Sequence, residues 1–222
     1  MSAFRAILAK DLRVELRTLE SLPAMALFAL TSYVLFRFGL DRETLSGPLA
    51  AGVLLATVLF ASLLAVNRIF LAELEQGGFD AIRLAPVDGT SLFLAKAAAL
   101  IAYLVVLEAI ALPTFSLLFA VEFSGLLPAA GVLLMVDVGI AATGALVSAI
   151  ATNSRARDLL VPLLLLPLLV PVMIGAAGAI EPLLGEGGPS FEGAGRWLAV
   201  LGVYDVIFIV IGYAVYDFLL ED

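Results

Sequence analysis

Long apolar runs separated by short polar clusters make up most of this chain. The runs lie at residues 21–38, 48–71, 91–121, 126–151, 159–180 and 197–220. A helix needs about 20 mostly apolar residues to cross a lipid bilayer, and each run is near or above that length. Because every stretch between the runs is short, no separate soluble domain is expected. The pattern predicts an all-α integral membrane protein with six transmembrane helices.

The first 20 residues have a different periodicity. Apolar residues recur on one side from Phe4 to Leu19. The charged residues assigned to the opposite, polar side are Arg5, Lys10, Asp11, Arg13, Glu15 and Arg17. This spacing is typical of an amphipathic helix that lies at the membrane surface. Residues 1–20 are therefore predicted to form an interfacial helix that precedes the first span.

Basic residues set the predicted orientation, because Lys and Arg near short loops are retained on the cytoplasmic side. On one side of the membrane are Arg5, Lys10, Arg13, Arg17, Arg68, Arg83, Lys96, Arg155 and Arg157, and on the other are Arg37, Arg42 and Arg196. Both termini are thus predicted to be cytoplasmic. The run at 91–121 is longer than a span requires, so it either tilts or begins with a cytoplasmic extension around Phe93–Lys96.

The longest mixed polar segment between apolar runs lies at residues 72–90, on the predicted cytoplasmic side. Gly77 is at a helix-breaking pair of glycines, and Pro86 ends the short amphipathic helix that follows. The residues that form this candidate docking surface are Glu73, Glu75, Gly77, Phe79, Asp80, Ile82 and Pro86. Phe79 and Ile82 are three apart and share a helical face. The segment is predicted to be a docking surface for a cytoplasmic partner, and the alternative is an ordinary connector.

Composition excludes several function classes. The chain has 63% hydrophobic residues, a formal net charge of −8, no cysteine and no histidine. Nucleic-acid binding is not expected, because no run of basic residues can follow a phosphate backbone. The usual zinc sites, Ser-His and Cys-His catalysis and the commonest haem ligands are also missing. No Gly-x-x-x-x-Gly-Lys-Ser/Thr sequence occurs, so any ATP must be bound by a separate subunit. We predict a non-enzymatic subunit with no cofactor or metal of its own.

Carboxyl residues lie inside two of the central apolar runs, Glu108 in the third and Asp137 in the fourth. Ionised groups are costly in hydrocarbon, so such residues face a bundle interior or a wet cavity. They are either structural hydrogen-bonding acids or parts of a transport pathway. Asp205, close to Trp197 and Tyr204, is expected nearer the outer interface.

The fourth and fifth runs carry further relay candidates. Between them lie Arg155, Arg157 and Asp158, which serve helix capping and topology and are also candidate relay residues. Pro162, Pro167 and Pro171 allow kinks in the fifth span, which is then either a hinge or a bent wall. Small residues in the fourth run, including Gly139 and Gly144, predict close helix packing within the subunit or across a dimer.

The chain resembles the type-2 ABC export permeases in its amphipathic first helix, six spans and Glu73-x-Glu75-x-Gly77 element leading into Phe79–Leu84 and Pro86. Two stretches narrow the resemblance, Arg68–Asp80 with Leu94–Lys96, and Arg155–Pro171. They are similar to the CcmB family, the permease subunits of cytochrome c maturation transporters. The resemblance covers essentially the whole chain and implies a single transmembrane permease domain over residues 1–222.

The resemblance also implies the partners. It implies a homodimer in the bacterial inner membrane, in contact with lipid and bound to two copies of a cytoplasmic, CcmA-like ABC ATPase. CcmC-like and CcmD-like membrane subunits and a CcmE-like haem chaperone would complete the assembly. ATP would be bound by the ATPase and haem by the partner subunits. The transported species is then haem itself, or ATP-driven motion releases a haem-loaded chaperone, which we favour because nothing here can hold iron. The alternatives are a permease for another amphiphile, such as a lipid or a drug, and a non-transporting assembly scaffold.

Overall fold

The computed structural model describes residues 3–75, 88–151 and 157–221. These residues form seven α-helices and one short 3-10 helix. The α-helices are α1 (Ala3–Thr18), α2 (Ser21–Gly39), α3 (Gly47–Glu75), α4 (Gly89–Phe119), α5 (Phe123–Ala151), α6 (Arg157–Ile180) and α7 (Ala194–Glu221). The 3-10 helix spans Glu181–Leu184 and directly follows α6. The described part of the chain is therefore entirely helical, as predicted.

Six of these helices, α2 to α7, are long and apolar enough to cross a membrane. They coincide with the six apolar runs, because a run that cannot be solvated must satisfy its backbone hydrogen bonds internally as a helix. In the following, the inner end of the bundle is where α3 ends and α4 begins. The distribution of basic residues predicts that this end is cytoplasmic.

The third span begins with an extension rather than a free loop. α4 is a continuous helix of 31 residues, and Phe93 and Lys96 in its first turns are buried. The Phe93 ring packs against Tyr216 of α7 with ring centroids 5.3 Å apart. Of the two explanations for its length, an inner extension packed against α1 and α7 fits these contacts.

α5 lies at the centre of the bundle and packs against α3, α4, α6 and α7. Its glycines permit this close approach, because a Cβ on Gly144 would overlap Val66 of α3 and one on Gly139 would overlap Asp205 of α7. The predicted close packing of small residues is confirmed, and these contacts are within the subunit.

The outer connection between α6 and α7 begins as an anchored turn. Leu183 and Leu184 of the 3-10 helix are buried, and the backbone of Leu183 lies so close to Gly125 that no Cβ would fit there. Further along, Gly187 and Gly188 have φ values of +100° and +101°, which favour glycine. The first turn of this glycine-rich connection is therefore packed against the bundle.

A leucine at Gly212 is expected to destabilise the fold by about 1–3 kcal/mol, because its Cβ would overlap the buried Phe93 ring. Gly131→Leu is the matched control, since no heavy atom lies within 4 Å of a Cβ at that helical position. Thermal unfolding of both purified variants in detergent measures the difference. Equal unfolding midpoints for the two leucine variants would contradict the packing described.

Candidate functional site

The predicted docking segment joins the inner ends of two spans. Glu73 and Glu75 lie in the last turns of α3, and their side chains are outside the described part of the structure. Gly77, Phe79, Asp80, Ile82 and Pro86 lie outside the described residues altogether. What the structure gives is the surroundings of the segment, namely the end of α3, the start of α4 and the helix packed beside them.

α4 begins at a side-chain cap. The Asp88 carboxylate accepts a hydrogen bond of 3.0 Å from the backbone N–H of Ser91, and Asp88 has extended backbone angles. This is the usual N-cap arrangement, and it satisfies one of the donors left free at a helix start. Hydrogen bonds from Ser91 lower the pKa of the Asp88 carboxyl. The cap is therefore present at neutral pH and is lost as the pH falls through that pKa.

A buried ion pair joins α4 to the N-terminal helix α1. Lys96 Nζ lies 2.9 Å from Asp11 Oδ2, and the two side chains are only 1% and 5% exposed. The Tyr103 hydroxyl, two turns further along α4, donates to the backbone carbonyl of Asp11 at 3.1 Å. Because two charges are taken out of water here, each stabilises the fold only while its partner is present.

Glu15 joins α1 to the start of the first span. One carboxylate oxygen, Glu15 Oε1, accepts hydrogen bonds from the backbone N–H groups of Ser21 at 2.9 Å and Leu22 at 2.8 Å. These are among the N–H groups that a helix leaves without an internal partner, and a negative charge is favourable at a helix N-terminus. The chain reverses between the two helices at Leu19, whose φ is +48°. Glu15 therefore fixes the direction in which α2 leaves α1.

An exposed ion pair joins the same N-terminal region to the inner end of α3. Arg68 Nη2 lies 2.6 Å from Glu20 Oε2, and the side chains are 41% and 57% exposed. Exposed pairs contribute about 0–1 kcal/mol, because water screens them and both long side chains lose freedom. Arg68 comes just before the docking segment in the chain and Lys96 comes just after it. Both bind acidic residues of the N-terminal region.

Sequence reasoning missed these contacts. Asp11 and Glu15 were assigned to the polar side of α1, but the buried stripe of this helix is Ile7, Asp11 and Glu15. The assignment was wrong because burial follows the contact with Lys96 and the α2 backbone rather than hydrophobicity. Two signals were available: the three residues are spaced four apart and share a face, and Lys96 is an isolated charge at the start of an apolar run.

The intramembrane acids Glu108 and Asp137 lie together, away from the inner end. Their carboxyls face each other across the interface of α4 and α5, and the residues are 5% and 0% exposed. Glu108 Oε1 and both Asp137 oxygens lack a hydrogen-bond partner among the described residues. Ionised carboxylates only accept hydrogen bonds, so the two groups bond to each other only when a proton lies between them. The arrangement can hold a proton and join two central helices.

Asp205 is deeper than expected from sequence. It lies 11 residues after the start of α7, about 16 Å along the helix axis. It is 7% exposed, and its Oδ1 lies beside Gly139 without a hydrogen-bond partner among the described residues. The neighbouring aromatic residues suggested the outer interface, but Tyr204 is buried in the bundle, and only Trp197 lies in the first turn of the helix.

The fifth span, α6, remains helical through Pro162, Pro167 and Pro171. Its neighbour α7 supplies an extra donor, since the Tyr204 hydroxyl lies 3.0 Å from the Leu168 carbonyl and 2.8 Å from Thr143 Oγ1 of α5. Hydroxyl groups can satisfy backbone loosened by proline in a membrane helix. Arg155 lies outside the described residues, and Arg157 and Asp158 open α6 with side chains outside the described part.

Replacing Lys96 with methionine is expected to destabilise the protein by up to about 3–5 kcal/mol, because the buried Asp11 carboxylate then keeps only the Lys10 ammonium, which is 3.4 Å away on a side chain 41% exposed. The double variant Asp11→Leu/Lys96→Met should recover most of this loss. Arg68→Met, which removes the basic residue of the exposed pair, should cost no more than about 1 kcal/mol. Equilibrium unfolding in detergent gives the three values, and equal losses for Lys96→Met and Arg68→Met would refute the distinction.

Asp137→Ala is expected to cost about 1–3 kcal/mol, because Glu108 then loses the carboxyl that faces it across the interface of α4 and α5. Asp137→Asn should be tolerated, since the amide N–H can donate to Glu108 as the protonated acid does. Glu192→Ala, at an exposed outer position, controls for loss of a carboxyl. The measurement is again unfolding in detergent. An alanine variant as stable as the asparagine variant would show that the two acids do not bond.

Comparisons with known proteins cover nearly the whole chain. The family model described as CcmB protein matches residues 2–215. The chain is 30% identical over 216 residues to the heme exporter protein B of Bradyrhizobium diazoefficiens, covering 96% of this chain and 94% of that protein. It is 29% identical over 178 residues to the heme exporter protein B of Rhodobacter capsulatus, covering 80% and 82%. The fold, a bundle of apolar helices behind an amphipathic first helix, agrees with both matches. The chain therefore belongs to the CcmB family.

Proposed function

We propose that this chain is the permease subunit of an ABC transporter for cytochrome c maturation in the bacterial inner membrane. In this proposal a separate cytoplasmic ATPase hydrolyses ATP, and the permease couples hydrolysis to haem export or to release of a haem-loaded chaperone. The observation that carries this proposal is the family match over residues 2–215. The transported species is suggested by the names of two relatives, both called heme exporter protein B.

The geometry of the inner end supports coupling. A partner that displaces the segment between α3 and α4 acts on two spans at once, because the segment is covalently joined to both. The flanks of that segment hold α1 through Lys96–Asp11 and the residue before α2 through Arg68–Glu20. A docking surface at this position is thus mechanically connected to four helices, whereas an ordinary connector needs no such contacts.

The chain's composition supports a division of labour with partner subunits. It has no histidine and no cysteine, so the side chains that most often bind haem iron are missing from it. A second subunit that handles haem fits this composition, and for the same reason we favour chaperone release over passage of haem through this subunit. A second copy of the chain, the ATPase and membrane subunits resembling CcmC and CcmD complete the proposed assembly.

The test is the double substitution Phe79→Ala/Asp80→Lys in the proposed docking helix. We expect the assembly to form while ATP hydrolysis and the yield of haem-loaded chaperone both fall, because docking energy no longer reaches the spans. Hydrolysis is measured on the assembly purified through a tag on this chain, and the chaperone is assayed in the same cells.

The chain offers a matched control for this variant. Phe191→Ala/Glu192→Lys changes the same kind of aromatic–acid pair at two exposed residues on the outer side. It should leave hydrolysis and chaperone yield unchanged. If the docking variant also leaves hydrolysis and chaperone yield unchanged, the segment is only a connector. A non-transporting scaffold is then the better interpretation. If hydrolysis falls while cytochrome c maturation is normal, a permease for another amphiphile is favoured.

A further inference from the structure

The two ion pairs that flank the docking segment differ in burial. Lys96–Asp11 is almost fully enclosed, with side chains 1% and 5% exposed, whereas the Arg68–Glu20 side chains are 41% and 57% exposed. Separating a buried pair leaves two charges without water, which is strongly unfavourable. Separating an exposed pair returns both groups to solvent at little cost. We therefore expect the first contact to open much less readily than the second.

The N-terminal region joins these two contacts rigidly. Asp11 and Glu20 lie on either side of Glu15, which holds the start of α2 by two backbone hydrogen bonds. The Tyr103 bond to the Asp11 carbonyl adds a second fixed point on α4. A change in the distance between the inner ends of α3 and α4 is therefore expected to open the Arg68–Glu20 contact or to turn α1 and the start of α2 about Asp11.

We propose that Arg68–Glu20 is a clasp that opens and closes during the ATP cycle, while Lys96–Asp11 is the fixed pivot. In the closed state the clasp holds the end of α3 against the start of α2. Movement of the docking segment opens it, and α3 then shifts relative to α1, α2 and α4. This inference rests on the proposed function, because it takes the partner ATPase as the source of the movement. Arg68 and Glu20 act here as positioning residues and contact no transported species.

The clasp is suited to chemical cross-linking, because the native chain contains no cysteine. The variant is Glu20→Cys/Arg68→Cys. An ion pair between two long side chains leaves the Cβ atoms too far apart for a direct disulfide, so a short bifunctional thiosulfonate reagent that can be cleaved by reductant is used. The assembly is purified through a tag on this chain, cross-linked, and assayed for ATP hydrolysis before and after reduction. The extent of cross-linking is read from the free thiols of the unfolded chain.

Before cross-linking, hydrolysis should be close to that of the unmodified chain, since an exposed pair contributes little to stability. Cross-linking should abolish most of the hydrolysis while the ATPase stays bound, and reduction should restore it. The matched control is Arg37→Cys/Glu43→Cys, because Arg37 and Glu43 form another exposed pair, 3.6 Å apart, at the outer end of α2. Linking these two residues should leave hydrolysis unchanged, as both belong to one outer turn.

Two results would contradict the clasp proposal. If the cross-linked Glu20→Cys/Arg68→Cys assembly hydrolyses ATP as fast as the reduced one, the contact stays closed throughout the cycle. If the outer control loses as much hydrolysis as the inner pair, the loss comes from general stiffening and not from the clasp. Failure of the proposed function can be told apart from failure of the clasp proposal, because no ATPase would then be recovered with the uncross-linked chain. The clasp proposal would be disproved at the same time.

Discussion

The buried ion pair between Lys96 and Asp11 determines how the N-terminal third of the molecule is arranged. Its charges have lost almost all contact with water, so each depends on the other and on the enclosing helices. α1 cannot slide over the membrane surface independently of α4, as its amphipathic sequence alone would allow. Glu15 and Glu20 extend the same set of contacts, since Glu15 binds the start of α2 and Glu20 binds the inner end of α3.

The acids in the middle of the membrane solve the same problem differently. Glu108 and Asp137 are as well buried as Asp11, but they face each other instead of a cation. Two carboxyls that share a proton need no basic partner. At the inner end, Lys96 is the basic partner of Asp11. The carboxyl pair joins α4 to α5 inside the bundle, and the ion pair joins α4 to α1. A buried carboxyl is thus paired with another carboxyl in the middle of the bundle and with a lysine at its inner end.

The sequence predicted the six spans well and the inner contacts poorly, for physical reasons. A span requires a continuous apolar run, so the local sequence determines that it exists and roughly where it ends. The run predicted at 126–151, for example, corresponds to the observed helix Phe123–Ala151. The partner of Asp11 lies 85 residues further along, and no local periodicity encodes it. Helical periodicity treats a charged residue as solvent-facing, so Asp11 and Glu15 were placed on the wrong side. Asp205 was misplaced similarly, since aromatic neighbours occur both at interfaces and in cores.

The first span is the helix on which the inner contacts have most influence. Only four of the nineteen residues of α2 are buried, Ser21, Met25, Ala29 and Tyr33, so a single stripe holds it to the bundle. Near its outer end the Tyr33 ring packs against Phe115 and Phe119, with centroids 5.3 and 6.1 Å away. At its inner end the fixed contact is Glu15. If α1 turns about Asp11, Glu15 carries that movement to the start of α2, while the aromatic cluster holds its outer end.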